Sequence, residues 1–344
     1  MKVKFIIIIF LVLGVCAKSN SQIYTDLNAR IFNITSSKND TIFFLKTDTC
    51  LNKKKPTIIF LQGSRPVPLI IDWGEFKFIP SINNFDYGSL SLRYNLIVIS
   101  KPNTPVMATK KQLDDQYNFI SKEDTTNGVS KYLQNNVMEN YVSRANAVIN
   151  YLVKQKWVDA SNICLIGHSE GANIAIKLAK NKYVKAIGYF SGNPDGGFSK
   201  YIKETRVETL SLKRSAKDVQ ENINQLYENW DKKSQINSQS KKNKDYYLAK
   251  VWLSFGQSLQ NEIVAMNKPL FLSYGTDDFG IALGNDLLPI YFMNVGKTNY
   301  KMMPMVGCGH NFEEISSEGV SNFDKMHWDD VMNGFITWFE GLKE

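Results

Sequence analysis

Apolar and polar positions along the chain fall into short blocks that switch between two periods. Runs of four to six mostly apolar residues recur at Ile42–Thr47, Thr57–Leu61, Leu96–Ser100, Ile163–Ile166, Lys185–Phe190, Leu270–Tyr274 and Tyr300–Met305. Bounded by polar or glycine-bearing stretches, such runs are read as buried strands. Helical spacing appears between them: Val137, Tyr141, Ala145, Val148, Ile149 and Leu152 predict a covering helix before the Ile163 strand, and Trp328 to Leu342 predicts a C-terminal one. Strands alternating with helices place the chain in the α/β class, with a mainly parallel central sheet covered by helices on both faces. Ligands then belong at the carboxyl ends of the strands.

Two stretches depart from this alternation. Residues 103–136 are polar and weakly periodic, so they are expected to form an irregular excursion. Residues 201–266 separate two strands and read as helical, with Val219, Ile223, Leu226 and Trp230 on one face and Tyr247, Val251, Leu259 and Ile263 on another. That is more helix than one crossover needs.

The N-terminus has its own pattern. Lys2 and Lys4 precede the apolar block Phe5–Val15, and small or polar residues follow, the layout of a secretory signal peptide and too short for a membrane span. Ser19-Asn20-Ser21 is a small-x-small cleavage pattern, so residues 1–21 are expected to be removed, leaving 22–344 as an exported domain, periplasmic or secreted. Leu13-Gly14-Val15-Cys16 resembles a bacterial lipobox with valine before the cysteine, so the alternative is a membrane-anchored lipoprotein attached at Cys16.

The 344-residue chain carries a net charge of +8; without residues 1–21 it holds 38 basic and 33 acidic side chains, a net +5. This modest excess sits in groups such as Lys53-Lys54-Lys55 and Lys241-Lys242, read as solvated surface; no nucleic-acid partner is expected. Cys164 lies in a predicted core strand, and Cys50 and Cys308 are candidates for a disulfide in an oxidising compartment. No C-x-x-C or clustered histidine spacing points to a metal, and no cofactor is expected.

The chemistry concentrates at Gly167-His168-Ser169-Glu170-Gly171, a G-x-S-x-G pentapeptide between the strand Ile163–Ile166 and the helical stretch that starts at Ala172. Strand, tight turn and helix are the setting of a nucleophile elbow, in which the glycines remove β-carbons that would collide and the serine hydroxyl stands exposed. A hydroxyl needs a base. Of three histidines, His168 belongs to the elbow and His327 opens the C-terminal helix, whereas His310 lies in a glycine-flanked loop after a late strand. The base in turn needs a carboxylate, and Gly275-Thr276-Asp277-Asp278 follows the strand Leu270–Tyr274.

These residues together resemble the α/β-hydrolase superfamily, in the form seen in serine esterases and prolyl-oligopeptidase-type catalytic domains. The resemblance implies Ser169 as nucleophile, His310 as base and Asp278, in the G-x-x-D register, as acid, with Asp277 and Asp195 as rivals. It implies that the oxyanion is held by the backbone N–H of Glu170 and by a donor in the loop after Thr57–Leu61. There Gln62-Gly63 stands where many relatives have His-Gly, which leaves Ser64 first and Arg65 second as the donor. It implies a helical cap at about residues 199–265, whose aromatics Tyr246, Tyr247, Trp252 and Phe255 are candidates for a pocket lining. Arg65, beside this loop, is a candidate for binding a carboxylate on the substrate. No long propeller-sized segment precedes the domain, which argues against a full peptidase architecture. The expected activity is cleavage of a small-molecule ester, an amide or a peptide; an acyltransferase with the same triad, and a non-catalytic binding protein on the same scaffold, are the alternatives.

Overall fold

The computed structural model describes residues 21–36, 40–120, 125–126, 129–211, 214–236 and 243–342. Residues 1–20, and with them Cys16 and nearly all of the expected signal peptide, lie outside the described residues, as do Lys241 and Lys242.

Nine strands form the main sheet: β1 (Ser21–Tyr24), β2 (Ala29–Thr35), β3 (Thr41–Thr47), β4 (Lys55–Leu61), β5 (Asn95–Ile99), β6 (Val158–His168), β7 (Val184–Phe190), β8 (Leu270–Gly275) and β9 (Tyr300–Met305). Their spatial order is β1-β2-β3-β5-β4-β6-β7-β8-β9. The six strands from β5 to β9 run parallel, and β1, β2 and β3 add an antiparallel edge. Every strand expected from an apolar run is present. The hairpin β1–β2 was not anticipated, because Arg30 and Asn33 interrupt the apolar pattern of β2.

Two cores follow from the strict alternation of side chains along each strand. Ile59, Leu61, Leu165 and Ile187 face one side, where they meet α1 (Met138–Leu152) and α2 (Glu170–Leu178). Ile58, Phe60, Ile166, Phe190 and Phe271 face the other and meet the C-terminal helix through Trp328, Val331, Phe335 and Phe339. A strand that is apolar on both faces has to be covered on both.

Residues between β7 and β8 fold as four helices: α3 (Gly197–Ser211), α4 (Ala216–Ser234), α5 (Lys244–Gly256) and α6 (Gln260–Ala265). Their contacts are with one another and with α7 (Phe279–Asn294) more than with the sheet. The C-terminal helix is α8 (Trp328–Gly341). Within the stretch 103–136, the short strand Met107–Thr109 pairs with Ile70–Asp72 in a small separate sheet.

Two expectations need correction. Cys50 and Cys308 are not bonded to each other: both are thiols, with Cys50 hydrogen-bonded to Asn52 Oδ1 and Cys308 buried behind the Val306 carbonyl. Lys55 is not solvated: it is buried at the start of β4, where its ammonium pairs with Asp48 at 2.6 Å and donates to the Ser91 carbonyl at 2.8 Å. No described helix is long and apolar enough to cross a membrane.

Phe190 is fully buried amid Phe271, Phe312, Trp328 and Phe335, with ring centroids 6.0–6.3 Å away. Phe190→Ala leaves a cavity in this aromatic cluster and is expected to lower unfolding stability by about 3–5 kcal/mol in urea titrations. A loss below about 1 kcal/mol would show that the cluster is not a structural keystone.

Candidate active site

Ser169 sits between the last residue of β6 and the first of α2, with φ 57° and ψ −123°, a backbone conformation that side-chain-bearing residues rarely adopt. Close approach of the two flanking glycines makes the turn feasible. A β-carbon on Gly167 would lie 2.1 Å from the Gly171 carbonyl oxygen, and one on Gly171 would lie 2.0 Å from that of Leu61, at the end of β4. No side chain larger than hydrogen fits either place. Serine is a favoured helix cap, yet Ser169 makes no side-chain cap bond to α2. Its hydroxyl is instead directed at His310, with Oγ 3.0 Å from Nε2.

His310 lies in the loop after β9, and its Nδ1 is 2.5 Å from Asp278 Oδ2. The Asp278 side chain is buried at the head of α7. The two loops interlock. A β-carbon on Gly275 would sit 2.2 Å from the carbonyl oxygens of both Cys308 and Gly309, so only glycine lets the aspartate turn pack on the histidine loop. Asp277 N–H donates to the Cys308 carbonyl at 3.0 Å, and Gly307 N–H to Thr276 Oγ1 at 2.9 Å. Nδ1–H facing a carboxylate leaves Nε2 as the acceptor for the serine proton. Of the rival acids, Asp277 accepts from Thr276 Oγ1 at 3.3 Å, and Asp195 is paired with Lys203. His327 is on the surface between Asp330 (2.9 Å) and Glu314 (3.4 Å), whose charges raise its pKa.

His168 has a part that the sequence did not reveal. Its Nε2–H donates to the His310 carbonyl at 2.9 Å, and its ring stands edge-on to Trp328. Burial, and then the neighbouring His310, draw its pKa down to about 3. It is a neutral strut under His310.

Around the serine, Glu170 opens α2, where the first N–H groups have no acceptor within the helix and the helix dipole is positive. The loop after β4 comes alongside: a β-carbon on Gly63 would lie 3.5 Å from Ser169 Cβ. Ser64 and Glu170 line one cavity with Ser169 and His310. Its volume is about 250 Å³, with Asn173, Ser191 and Asn193 on a polar side and Phe198, Tyr201, Trp252 and Phe255 from α3 and α5 on an aromatic one. Of the aromatics singled out in the sequence, Trp252 and Phe255 reach this cavity. Tyr246 and Tyr247 stack edge-to-face on each other instead, and α3 supplies Phe198 and Tyr201 in their place.

A second cavity, about 290 Å³, shares Ser64, Ser169 and His310 and opens on the other side of the serine towards Arg65, Asn84, Gln116 and Tyr117. Arg65 is exposed there, with Nη1 donating to the Gln116 carbonyl at 2.7 Å. The Lys101 ammonium is buried against the Gly63 carbonyl of this loop, and the Glu170 carboxylate acts on it. Burial lowers the Lys101 ammonium to about 8 against the pull of Glu170, and burial raises the Glu170 carboxyl against the pull of Lys101. Among the described residues no group of three or more His, Cys, Asp or Glu side chains could hold a metal ion.

The sequence matches no protein-family model and no curated protein. Solved structures do resemble it. A Bacteroides ovatus protein assigned as a dipeptidyl aminopeptidase IV superposes with a TM-score of 0.55 over 91% of this chain and 35% of its own, at 11% identity. A Klebsiella pneumoniae protein assigned as a dienelactone hydrolase does so with a TM-score of 0.51 over 91% of this chain and 98% of its own, at 13% identity. The fold is that of the α/β-hydrolases. This chain spans about a third of the Bacteroides protein and nearly the whole of the Klebsiella one. Within the α/β-hydrolase fold, the elbow, the aspartate turn and the histidine loop all stand at carboxyl ends of parallel strands.

A histidine held neutral by the fold binds a proton only when the chain unfolds. Between pH 6.5 and about 3 the unfolded state therefore takes up a proton that the folded state does not, and stability falls as pH falls. Lowering the pH from 7 to 5 is expected to cost the protein about 2 kcal/mol more than it costs His168→Gln, measured by urea unfolding. Equal losses in the two proteins would mean that His168 titrates normally.

Proposed function

We propose that the protein is an exported serine hydrolase that cleaves a carboxylic ester, or an amide or peptide bond, through an acyl-enzyme. The observation that carries this reading is the unbroken chain from Ser169 Oγ to His310 Nε2 at 3.0 Å and from His310 Nδ1 to Asp278 at 2.5 Å. The triad runs Ser, Asp, His along the sequence, as it does in this fold. Export rests on the N-terminal pattern of Lys2, Lys4 and the apolar block Phe5–Val15.

His310 Nε2 takes the proton as Ser169 Oγ attacks the carbonyl carbon, and Asp278 stabilises the imidazolium that forms. The tetrahedral oxygen accepts from the N–H groups of Glu170 and Ser64. The leaving group departs with the proton from His310, and water, deprotonated by the same nitrogen, releases the acid. Cavities on both sides of Ser169 offer one space for the acyl part and one for the leaving group. The aromatic wall of the first suits an apolar or ring-bearing group. Arg65 in the second favours substrates bearing a carboxylate.

Ser169→Ala and His310→Ala are each expected to lower kcat on a p-nitrophenyl acyl ester by about 10⁴–10⁶-fold, and the double variant to be little worse, because the triad acts as a unit. Asp278→Asn is expected to cost more than Asp277→Asn or Asp195→Asn; a reversed ranking would move the acid. Full turnover in Ser169→Ala would remove the nucleophile.

Arg65→Ala is expected to raise KM severalfold for esters bearing a carboxylate and to leave neutral esters of the same size nearly unchanged. Equal losses for both would mean that the substitution disturbs the oxyanion loop instead.

A further inference from the structure

The segment Gln62-Gly63-Ser64 is fastened through the Gln62 side chain and the carbonyls of Gly63 and Ser64. Gln62 Nε2 donates to the Ile99 carbonyl at 2.7 Å, Lys101 Nζ donates to the Gly63 carbonyl, and Tyr132 Oη donates to the Ser64 carbonyl at 2.6 Å. A trans peptide is planar, and its C=O and N–H point in opposite directions. A lysine pulling on the Gly63 carbonyl therefore turns the N–H of the same peptide, that of Ser64, away from itself.

We propose that Lys101 is a positioning residue of the oxyanion hole: with Tyr132 on the next carbonyl, it holds the Gly63–Ser64 peptide so that the Ser64 N–H faces the tetrahedral oxygen. This rests on the hydrolase reading above. The cavity side of the peptide is fixed by Ser64 lining the space around Ser169 and by the close approach of Gly63 to Ser169 Cβ.

Lys101 is itself held firmly. It lies two residues past the end of β5, and it is buried with its ammonium 4.6 Å from the centre of the Tyr141 ring. On one side Arg144 from α1 donates to the Ser100 carbonyl and hydroxyl at 3.1 and 3.0 Å; on the other, Thr104 Oγ1 donates to the Lys101 carbonyl at 3.0 Å. The carboxylate acting on Lys101 is Glu170, whose backbone N–H is the other oxyanion donor. One buried cation thus orients one donor peptide while its charge is felt at the residue that supplies the other. A lysine that merely filled the core would leave the chemical step untouched.

Lys101→Met keeps the apolar stem and removes the donor. On a p-nitrophenyl ester, kcat is expected to fall about 10–100-fold with KM within about twofold of the unsubstituted protein. Affinity for a trifluoromethyl ketone, whose hemiketal oxygen sits where the oxyanion forms, is expected to fall by a similar factor, and Tyr132→Phe to give a smaller loss confined to kcat. Unchanged kcat and ketone affinity in folded Lys101→Met, or a loss confined to KM, would overturn the proposal. Should Lys101→Met fail to fold, Tyr132→Phe decides: a loss in kcat alone supports the positioning role and an unchanged kcat overturns it. An unsubstituted protein that turns over the ester beside an indifferent Lys101→Met refutes the positioning role alone. No turnover by the unsubstituted protein on any acyl substrate refutes the hydrolase reading with it.

Discussion

The active-site geometry depends on the contact between the backbone of Gly171 and the carbonyl of Leu61, closer than any β-carbon would allow. Because α2 can press against the end of β4 at that point, the chain reverses within one residue. Ser169 takes up the strain of the reversal, a cost of about 1–3 kcal/mol for such a backbone state. What sustains it is the burial on both sides: β6 lies at the centre of the sheet between β4 and β7, and the Ser169 N–H is tied to the Phe190 carbonyl at 2.9 Å. The same contact brings the loop after β4 beside the serine, so Ser169 and the candidate oxyanion donors of Glu170 and Ser64 are set by one close approach.

Electrostatics around this turn are arranged by burial. His168 is held neutral and serves as a hydrogen-bond donor to the backbone of His310. Lys101 and Glu170 are drawn out of water on the other side, each shifted towards its neutral form and each countered by the other. A low-dielectric setting strengthens every dipole aimed at a developing charge, which is why oxyanion stabilisation is effective where water is excluded.

Much of this was legible in the sequence, for identifiable reasons. Buried parallel strands must be apolar on both faces, so the runs at Thr57, Leu96 and Ile163 stood out; β2 did not, since Arg30 and Asn33 interrupt it. α7 was equally hidden, because its apolar residues go all round and Gly280, Gly284 and Pro289 read as breakers. The serine, aspartate and histidine could be located because each sits where glycine permits a turn after a strand. Lys101, Tyr132 and His168 could not, since their contacts join positions 38, 68 and 142 residues apart. The one local hint was a lysine directly after an apolar strand, a place where an ammonium is buried only if something receives it.

Activation of Ser169 as a nucleophile by His310 is tested by mass spectrometry of the protein after exposure to a fluorophosphonate. A single phosphonyl adduct is predicted, mapping to the peptide that contains Ser169, and forming more slowly by orders of magnitude when His310 is replaced by alanine. No adduct, or one on a different residue, would contradict it.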